Sequence, residues 1–273
     1  MKTTLTLLLL FCFIHTEAQE LYPSSEPASS MASKSVGLRL NNLLFPDYDA
    51  SKINYKNAYR LNPELMWGIN KKWMAHINLY ASNVHQSNFK FEGSSLYLKY
   101  RFFSQDDVNT HFRMALYGKA SLINNPIQYN ELNLAGDNSG VATGIIATQL
   151  LHKVALSFTG GYIRSMNNLQ NQLVNTQAKD GINYSVSAGY LFLPFNYTSY
   201  KQTNLNLYVE FLGKSNPATK ESYLDIAPAL QLIINSIIRV DFIYEKQLYG
   251  NMTRMSNTIF SFRFEYNIFN VYK

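Results

Sequence analysis

Apolar and polar residues alternate one by one in segment after segment of this chain, from about residue 34 to the C-terminus. The stretch Val36 to Asn41, for example, reads apolar, small, apolar, basic, apolar, amide. Successive side chains of a β-strand point to opposite faces, so this pattern predicts a strand with one apolar and one polar face. The pattern recurs about twelve times in segments of roughly ten residues, the length of a tilted strand that crosses a hydrocarbon layer.

The composition indicates where the apolar faces point. Charged residues make up 15% of the chain, against about 25% in a typical soluble domain. Beyond the N-terminus no segment approaches the roughly eighteen consecutive apolar residues of a membrane-spanning helix. A soluble β-sandwich would also alternate, but its strands are shorter, at about five or six residues. We therefore predict an all-β fold, a transmembrane antiparallel up-and-down β-barrel of about 12 strands.

Long and short connections alternate between the predicted strands. The longer, polar ones lie near residues 44–58, 82–93, 121–139, 164–181, 213–222 and 246–257. The mostly shorter ones lie near residues 70–72, 104–111, 152–153, 193–202 and 233–236. Outer-membrane barrels have long outer loops and short periplasmic turns. This order predicts that both termini are periplasmic.

The N-terminus has the three parts of a cleaved export signal. Lys2 supplies the basic start, Leu5 to Ile14 the apolar stretch, and Thr16-Glu17-Ala18 a small-residue cleavage pattern. We predict a signal peptide at 1–18, a periplasmic segment at 19–33 and an outer-membrane barrel at 34–273. The single cysteine, Cys12, lies in the part predicted to be removed. A thiol nucleophile or a cysteine metal site is thereby excluded from the mature chain.

Charged and polar side chains on the non-apolar strand faces are predicted to line the lumen. These candidates are Arg39, Arg60, Glu64, His76, Lys99, Arg101, Arg113, Glu210, Asp225, Arg239, Asp241, Glu245, Arg263 and Glu265. Pairing the last two strands places Arg239 near Glu265 and Asp241 near Arg263, with Arg39 on the neighbouring closing strand.

A second group of lumen candidates is less balanced in charge. Pairing across the 104–111 turn is predicted to bring Arg101 opposite Arg113, with Lys99 nearby. Like charges side by side are unfavourable unless an acid or an anion lies between them. Two readings stay open at this stage: a pore biased toward anions, or an acidic residue that meets these cations from across the barrel.

Motifs for metal binding, catalysis and nucleic-acid binding are weak. Met66 is predicted opposite His76 with Met74 close by, a set that suits Cu(I), but no His/Cys spacing motif supports a site. No serine–histidine pair, phosphate-binding glycine loop or zinc-protease helix is recognisable. The net charge is +6, but the basic residues are scattered, which argues against nucleic acid. We predict no enzyme, no metal and no cofactor, with outer-membrane lipids and a small solute as partners.

Six stretches of the chain have a familiar sequence, namely Leu21 to Gly37, Ser95 to Phe102, Ala147 to Lys153, Tyr200 to Leu207, Ser222 to Pro228 and Phe264 to Asn267. They resemble uncharacterised outer-membrane β-barrel proteins of Bacteroidota. The resemblance implies the barrel fold and the outer-membrane location, together with an association of some members with heavy-metal or copper handling. It supplies no substrate or catalytic residue. The chain departs from many such barrels by ending in Lys273, so Tyr272 or Phe269 is the expected aromatic assembly signal.

The function predicted from these features is a passive channel or small-solute transporter of unknown cargo. Two alternatives stay open. One is a closed barrel that serves as a structural or partner-binding element of an outer-membrane complex. The other is an outer-membrane hydrolase.

Overall fold

A computed structural model describes residues 22–47, 58–85, 88–108, 110–172, 178–196 and 201–272. The predicted signal peptide at 1–18 lies outside these residues. The described part of the chain contains twelve β-strands and no helix. The strands are β1 Ser35–Phe45, β2 Ala58–Gly68, β3 Trp73–Ser82, β4 Lys90–Asp106, β5 Thr110–Ile123, β6 Ser139–Leu151, β7 Val154–Met166, β8 Asp180–Leu193, β9 Asn204–Asn216, β10 Glu221–Ile234, β11 Ile238–Gly250 and β12 Thr258–Ile268.

Each strand pairs antiparallel with its neighbours in the chain, and the first strand pairs with the last. The β1–β12 ladder runs from Val36 opposite Ile268 to Leu44 opposite Phe260. The sheet is therefore a closed barrel without a free edge. The predicted all-β, antiparallel up-and-down barrel with twelve strands is confirmed.

The outer wall of the barrel is apolar over most of its area. Leu65, Ile77, Leu96 and Phe158 are between 44% and 54% exposed, and every strand contributes outward residues of this kind. A continuous apolar surface of this extent is what a bilayer covers in a membrane barrel. Among the described residues no helix is long and apolar enough to cross a membrane, a finding that concerns helices only.

The first strand begins and the last strand ends at the same end of the barrel, which we call the terminal end. The opposite end of the barrel is called the loop end. Ser35 begins β1 and Ile268 ends β12 at the terminal end. Beyond β12, Val271 donates a backbone hydrogen bond to the Lys34 carbonyl (2.9 Å), and the Tyr272 hydroxyl lies 3.1 Å from the Ile69 carbonyl. The last residues of the chain thus cover the joint between β12, β1 and β2.

Candidate functional site

The predicted lumen-lining side chains all lie on the inward faces of the strands. All are buried except Glu245 and Arg263, which are half-buried. The inward position of these residues follows from the period of two along each strand. A part for them in solute passage stays a prediction.

Residues 22–33, which we call the plug, lie inside the barrel near the terminal end. The sequence predicts only a periplasmic segment at 19–33, with nothing to place it in the lumen. Plug atoms make hydrogen bonds or ion pairs with inward side chains of seven strands, namely β1, β4, β5, β6, β8, β9 and β11. Only a segment that crosses the lumen can reach strands on all sides of the barrel.

The N-terminal part of the plug is held by a buried carboxylate on β9. Glu210 accepts hydrogen bonds from the backbone N–H groups of Ser24 (2.6 Å) and Ser25 (2.9 Å) and from the Ser25 hydroxyl (2.6 Å). The Ser25 and Ser187 hydroxyl oxygens lie 2.9 Å apart. Glu210 therefore fixes the plug backbone through charge-assisted hydrogen bonds, which are among the stronger ones.

The centre of the plug carries its one acid, Glu26, into a basic part of the wall. The Glu26 carboxylate lies 3.0 Å from Arg39 and 3.7 Å from the Lys99 ammonium. Lys99 is fully buried and donates to the carbonyls of Pro27 and Ser29, each at 2.7 Å. Burial alone would raise the pKa of the Glu26 carboxyl, but the nearby charges of Arg39, His76 and Lys99 lower this pKa to about 2.

The C-terminal part of the plug is held by further polar contacts and by a small apolar cluster. The Ala28 N–H donates to the Thr148 hydroxyl at 2.9 Å, and Arg113 donates to the Ser29 hydroxyl at 3.0 Å. Met31 packs with Met66 and Met74, which face inward from β2 and β3. Two further plug residues, Tyr22 and Ala28, are buried in apolar clusters of the inner wall, so that polar and apolar contacts together dock the plug.

The predicted pairing of Arg101 with Arg113 is wrong. The β4–β5 hairpin closes between Asp107 and Thr110, later in the chain than the predicted pairing requires, so that Arg101 lies opposite Ala115 and Arg113 opposite Ser104. Arg113 instead donates to Asp106 at 2.8 Å, and Arg101 donates to the Lys71 carbonyl at 2.7 Å. This register separates the two like charges, and each has its own acceptor.

The predicted cross-strand pairs next to the closing joint are confirmed. Arg239 lies opposite Glu265 and Asp241 opposite Arg263. The corresponding nitrogen–oxygen distances are 3.6 and 3.8 Å, whereas Glu265 lies closer to Arg39, at 2.8 Å. Arg239 also pairs with Asp241 at 2.7 Å. These groups form one connected network near the terminal end.

At the loop end the connections 124–138 and 251–257, which we call the roof, fold inward over the lumen. Asp137 lies 2.6 Å from Arg60, and Arg254 lies 2.7 Å from Asp225 and 3.2 Å from Glu131. Burial opposes ionisation of Glu131, but Lys214 and Arg254 outweigh it and lower the pKa of this carboxyl to about 2. Ion pairs thus tie both roof segments to the barrel wall.

Between plug and roof lies a cavity of about 480 Å³, which we call the chamber. Its wall includes Tyr97, Tyr117, Lys119 and Asn183, none of which the sequence singled out. The Tyr117 ring lies close over the backbone of β6 and β7. A Cβ atom added to Gly161 would lie only 2.2 Å from the Tyr117 hydroxyl oxygen, so the ring needs a glycine there. A glycine inside a strand often marks a close approach of this kind, which was the available sequence signal.

The predicted juxtaposition of Met66 and His76 is confirmed by the β2–β3 register. Glu26, Glu64 and His76 each place one ligand atom within 4.8 Å of the others. The same carboxylates are already paired, however, with Arg39 at 3.0 Å from Glu26 and 3.1 Å from Glu64. A metal ion there would have to compete with a buried guanidinium, so we assign no metal to this set.

Comparisons with known proteins support the fold. No protein-family model and no curated protein matches the chain. Among solved structures, the COG4313 outer membrane channel from Pseudomonas putida F1 matches with a TM-score of 0.60 at 10% identity, over 91% of this chain and 100% of that one. The KdgM porin matches with a TM-score of 0.45 at 8% identity, over 85% of this chain and 98% of that one. At such identities the likeness concerns the barrel alone.

Proposed function

We propose that this chain is an outer-membrane channel for small polar solutes, closed at its periplasmic end by the plug in the state described above. The observation that carries the proposal is a polar chamber of about 480 Å³ inside a closed barrel whose outer wall is apolar. The terminal end is then periplasmic and the roof faces outward. The signal peptide, the lipid contacts and the likeness to Bacteroidota proteins belong to this proposal, as does the absence of enzymatic activity.

The chemistry of the plug supports its displacement. Its contacts with Glu210, Lys99 and Thr148 are hydrogen bonds, which water can replace when the segment leaves the lumen. The competing function is a closed barrel that serves as a structural or partner-binding element, favoured by the complete burial of Lys99 against the plug.

A disulfide lock distinguishes these two functions. The Ser25 and Ser187 oxygens lie 2.9 Å apart, so Ser25→Cys with Ser187→Cys places two thiols together between plug and wall. The only native cysteine is Cys12, in the predicted signal. Conductance of the purified barrel in planar bilayers is recorded for the wild type and for the double variant, oxidised and then reduced. Ser25→Cys alone is the matched control.

We expect discrete current steps in the wild type and in the control under both conditions. The oxidised double variant should lose these steps and the reduced one should regain them, because the disulfide prevents the plug from leaving the wall and its reduction restores the reversible contacts alone. Steps that persist in the oxidised variant would show that the plug does not gate the path. Silence of both the wild type and a variant that lacks residues 22–33 would contradict the channel and favour the closed barrel.

A further inference from the structure

Three residues that line the chamber each carry a buried polar atom that has no hydrogen-bond partner in the described chain. The atoms are His76 Nε2, the Tyr97 hydroxyl oxygen and Thr159 Oγ1. The residues are only 2%, 8% and 9% exposed, so bulk water does not compensate these atoms well. Buried polar groups are almost always paired in folded proteins. Unpaired groups that share one cavity therefore indicate an occupant that carries hydrogen-bonding groups of its own.

Aromatic rings form one side of the same cavity. The His76 and Tyr97 ring centres lie 5.0 Å apart, and the Tyr97 and Tyr117 rings stack with centres 5.6 Å apart. The three residues come from the adjacent strands β3, β4 and β5. The Tyr117 hydroxyl lies within 3.4 Å of the Asn183 amide, which adds donors and acceptors to the edge of the rings. A platform of this kind receives the body of a small organic molecule.

One cation beside these rings has no acidic partner in the part of the chain that the structure describes. Lys119 lies opposite Tyr97 in the β4–β5 register, and its ammonium lies 5.9 Å from the centre of the Tyr80 ring. Among the described residues, no carboxylate oxygen lies within 4.0 Å of the Lys119 ammonium nitrogen, so Lys119 forms no salt bridge with them. The other lysine and arginine side chains that line the chamber are each paired with an acid, for example Lys214 with Glu131. Lys119 is therefore the cation that an incoming anion can pair with.

We propose that the chamber binds a small hydroxylated carboxylate, a molecule of sugar-acid size with one carboxylate and several hydroxyl groups. The carboxylate pairs with Lys119, and the hydroxyl groups bond to the unpaired atoms of His76, Tyr97 and Thr159. The cavity of about 480 Å³ is in the usual size range for small-molecule sites. This inference deepens the proposed channel function by naming the class of solute. It is tested by binding and not by conductance, so the two can fail separately.

The test compares two probes that share a six-carbon polyol skeleton, gluconate with a carboxylate and sorbitol without one. Binding to the detergent-solubilised full chain is measured by isothermal titration calorimetry. We expect gluconate to bind and sorbitol to bind at least about tenfold more weakly, the order expected for one charge-assisted contact. Lys119→Met should remove this preference while it keeps the aliphatic stem in place.

Two further variants separate binding from a structural role. Tyr97→Phe and Thr159→Val each delete an unpaired polar atom, so neither should lower the thermal unfolding midpoint, yet both should weaken gluconate binding several-fold. Tyr190→Phe, which removes an outward hydroxyl on β8, is the control and should change nothing. Absence of gluconate binding, equal binding of the two probes, or unchanged binding in both Tyr97→Phe and Thr159→Val would overturn the proposal.

Discussion

Replacement of Glu26 by glutamine tests whether charge holds the plug in place. The substitution keeps the size of the side chain and removes its negative charge from between Arg39 and Lys99. Both cations are buried, Lys99 fully, and the substitution leaves each of them with one carboxylate fewer. We expect the docked plug to be destabilised while the barrel itself stays folded, because its ladder involves no plug residue.

The magnitude follows from the electrostatics of Glu26. Its pKa of about 2 lies below the ordinary 4.5, a difference equivalent to about 3 kcal/mol of preference for the charged form when the plug is docked. Removal of one partner of a buried ion pair costs about 3 to 5 kcal/mol in other proteins. The Glu26 side chain is 25% exposed to the chamber, which reduces the effect. About 2 to 3 kcal/mol remains, so undocking becomes about 30- to 150-fold more frequent.

A single reporter cysteine measures this frequency. The Ser30 hydroxyl is buried and has no hydrogen-bond partner, so Ser30→Cys gives up no contact. A water-soluble maleimide reaches this thiol only when the plug leaves the wall, and the labelling rate then follows the undocked population. Glu131→Gln, which removes a roof carboxylate paired with Lys214 and Arg254 and not with the plug, is the matched control and should leave the rate unchanged. A rate in Glu26→Gln within twofold of the parent, with the barrel folded, would refute the electrostatic account.

Three further predictions concern acid, the roof and the wall. Because the pKa of Glu26 is lowered, its contribution to docking is complete above about pH 4.5 and disappears as the pH falls toward about 2. The open probability in bilayers should therefore rise as the pH is lowered over this interval, and a constant open probability would contradict this. Arg60→Met removes the guanidinium that two buried carboxylates, Glu92 and Asp137, share at the loop end, and should lower stability against urea by about 3 kcal/mol or more. Arg164→Met breaks an exposed pair and should change this stability little; equal losses would contradict the difference in burial. Gly161→Ala places a methyl group 2.2 Å from the Tyr117 hydroxyl oxygen and should lower the free energy of unfolding by about 1 to 3 kcal/mol in the same assay. In Gly160→Ala the new methyl group has no neighbour closer than 3.5 Å, so this control should be nearly neutral. A neutral Gly161→Ala would show that the Tyr117 ring moves freely.

The sequence predicted the wall of the barrel well for a physical reason. A period of two assigns each residue of a strand to one face, and neighbouring strands then place Arg239 opposite Glu265 without further information. The same rule failed between Arg101 and Arg113, because the β4–β5 hairpin turns between Asp107 and Thr110, later in the chain than that pairing requires. A turn free of glycine and proline gives a weak signal for its exact position, and a small error in that position changes every pair of the hairpin.

The plug and the chamber could not be predicted in the same way. Residues 22–33 have no periodic pattern, and their contacts with Glu210 and Lys99 are made mainly by backbone atoms, which every residue has. The unbalanced charge of Lys99 and its neighbours was the available signal, since buried cations need acceptors. The acceptors of Lys99 proved to be Glu26 and the plug carbonyls, whereas Arg113 pairs with Asp106 of its own hairpin.

The continuous β1–β12 ladder also determines how the plug can leave the barrel. A closed wall offers no sideways exit, so the segment must move along the barrel axis. A pull applied on the N-terminal side of Tyr22 would load the contacts in chain order: first the Arg239 bond to the Tyr22 carbonyl, then Glu210, then the ion pairs of Glu26. Contacts that break one after another resist force far less than the same contacts loaded together. A segment that is stable at rest is therefore mechanically easy to peel away from its end.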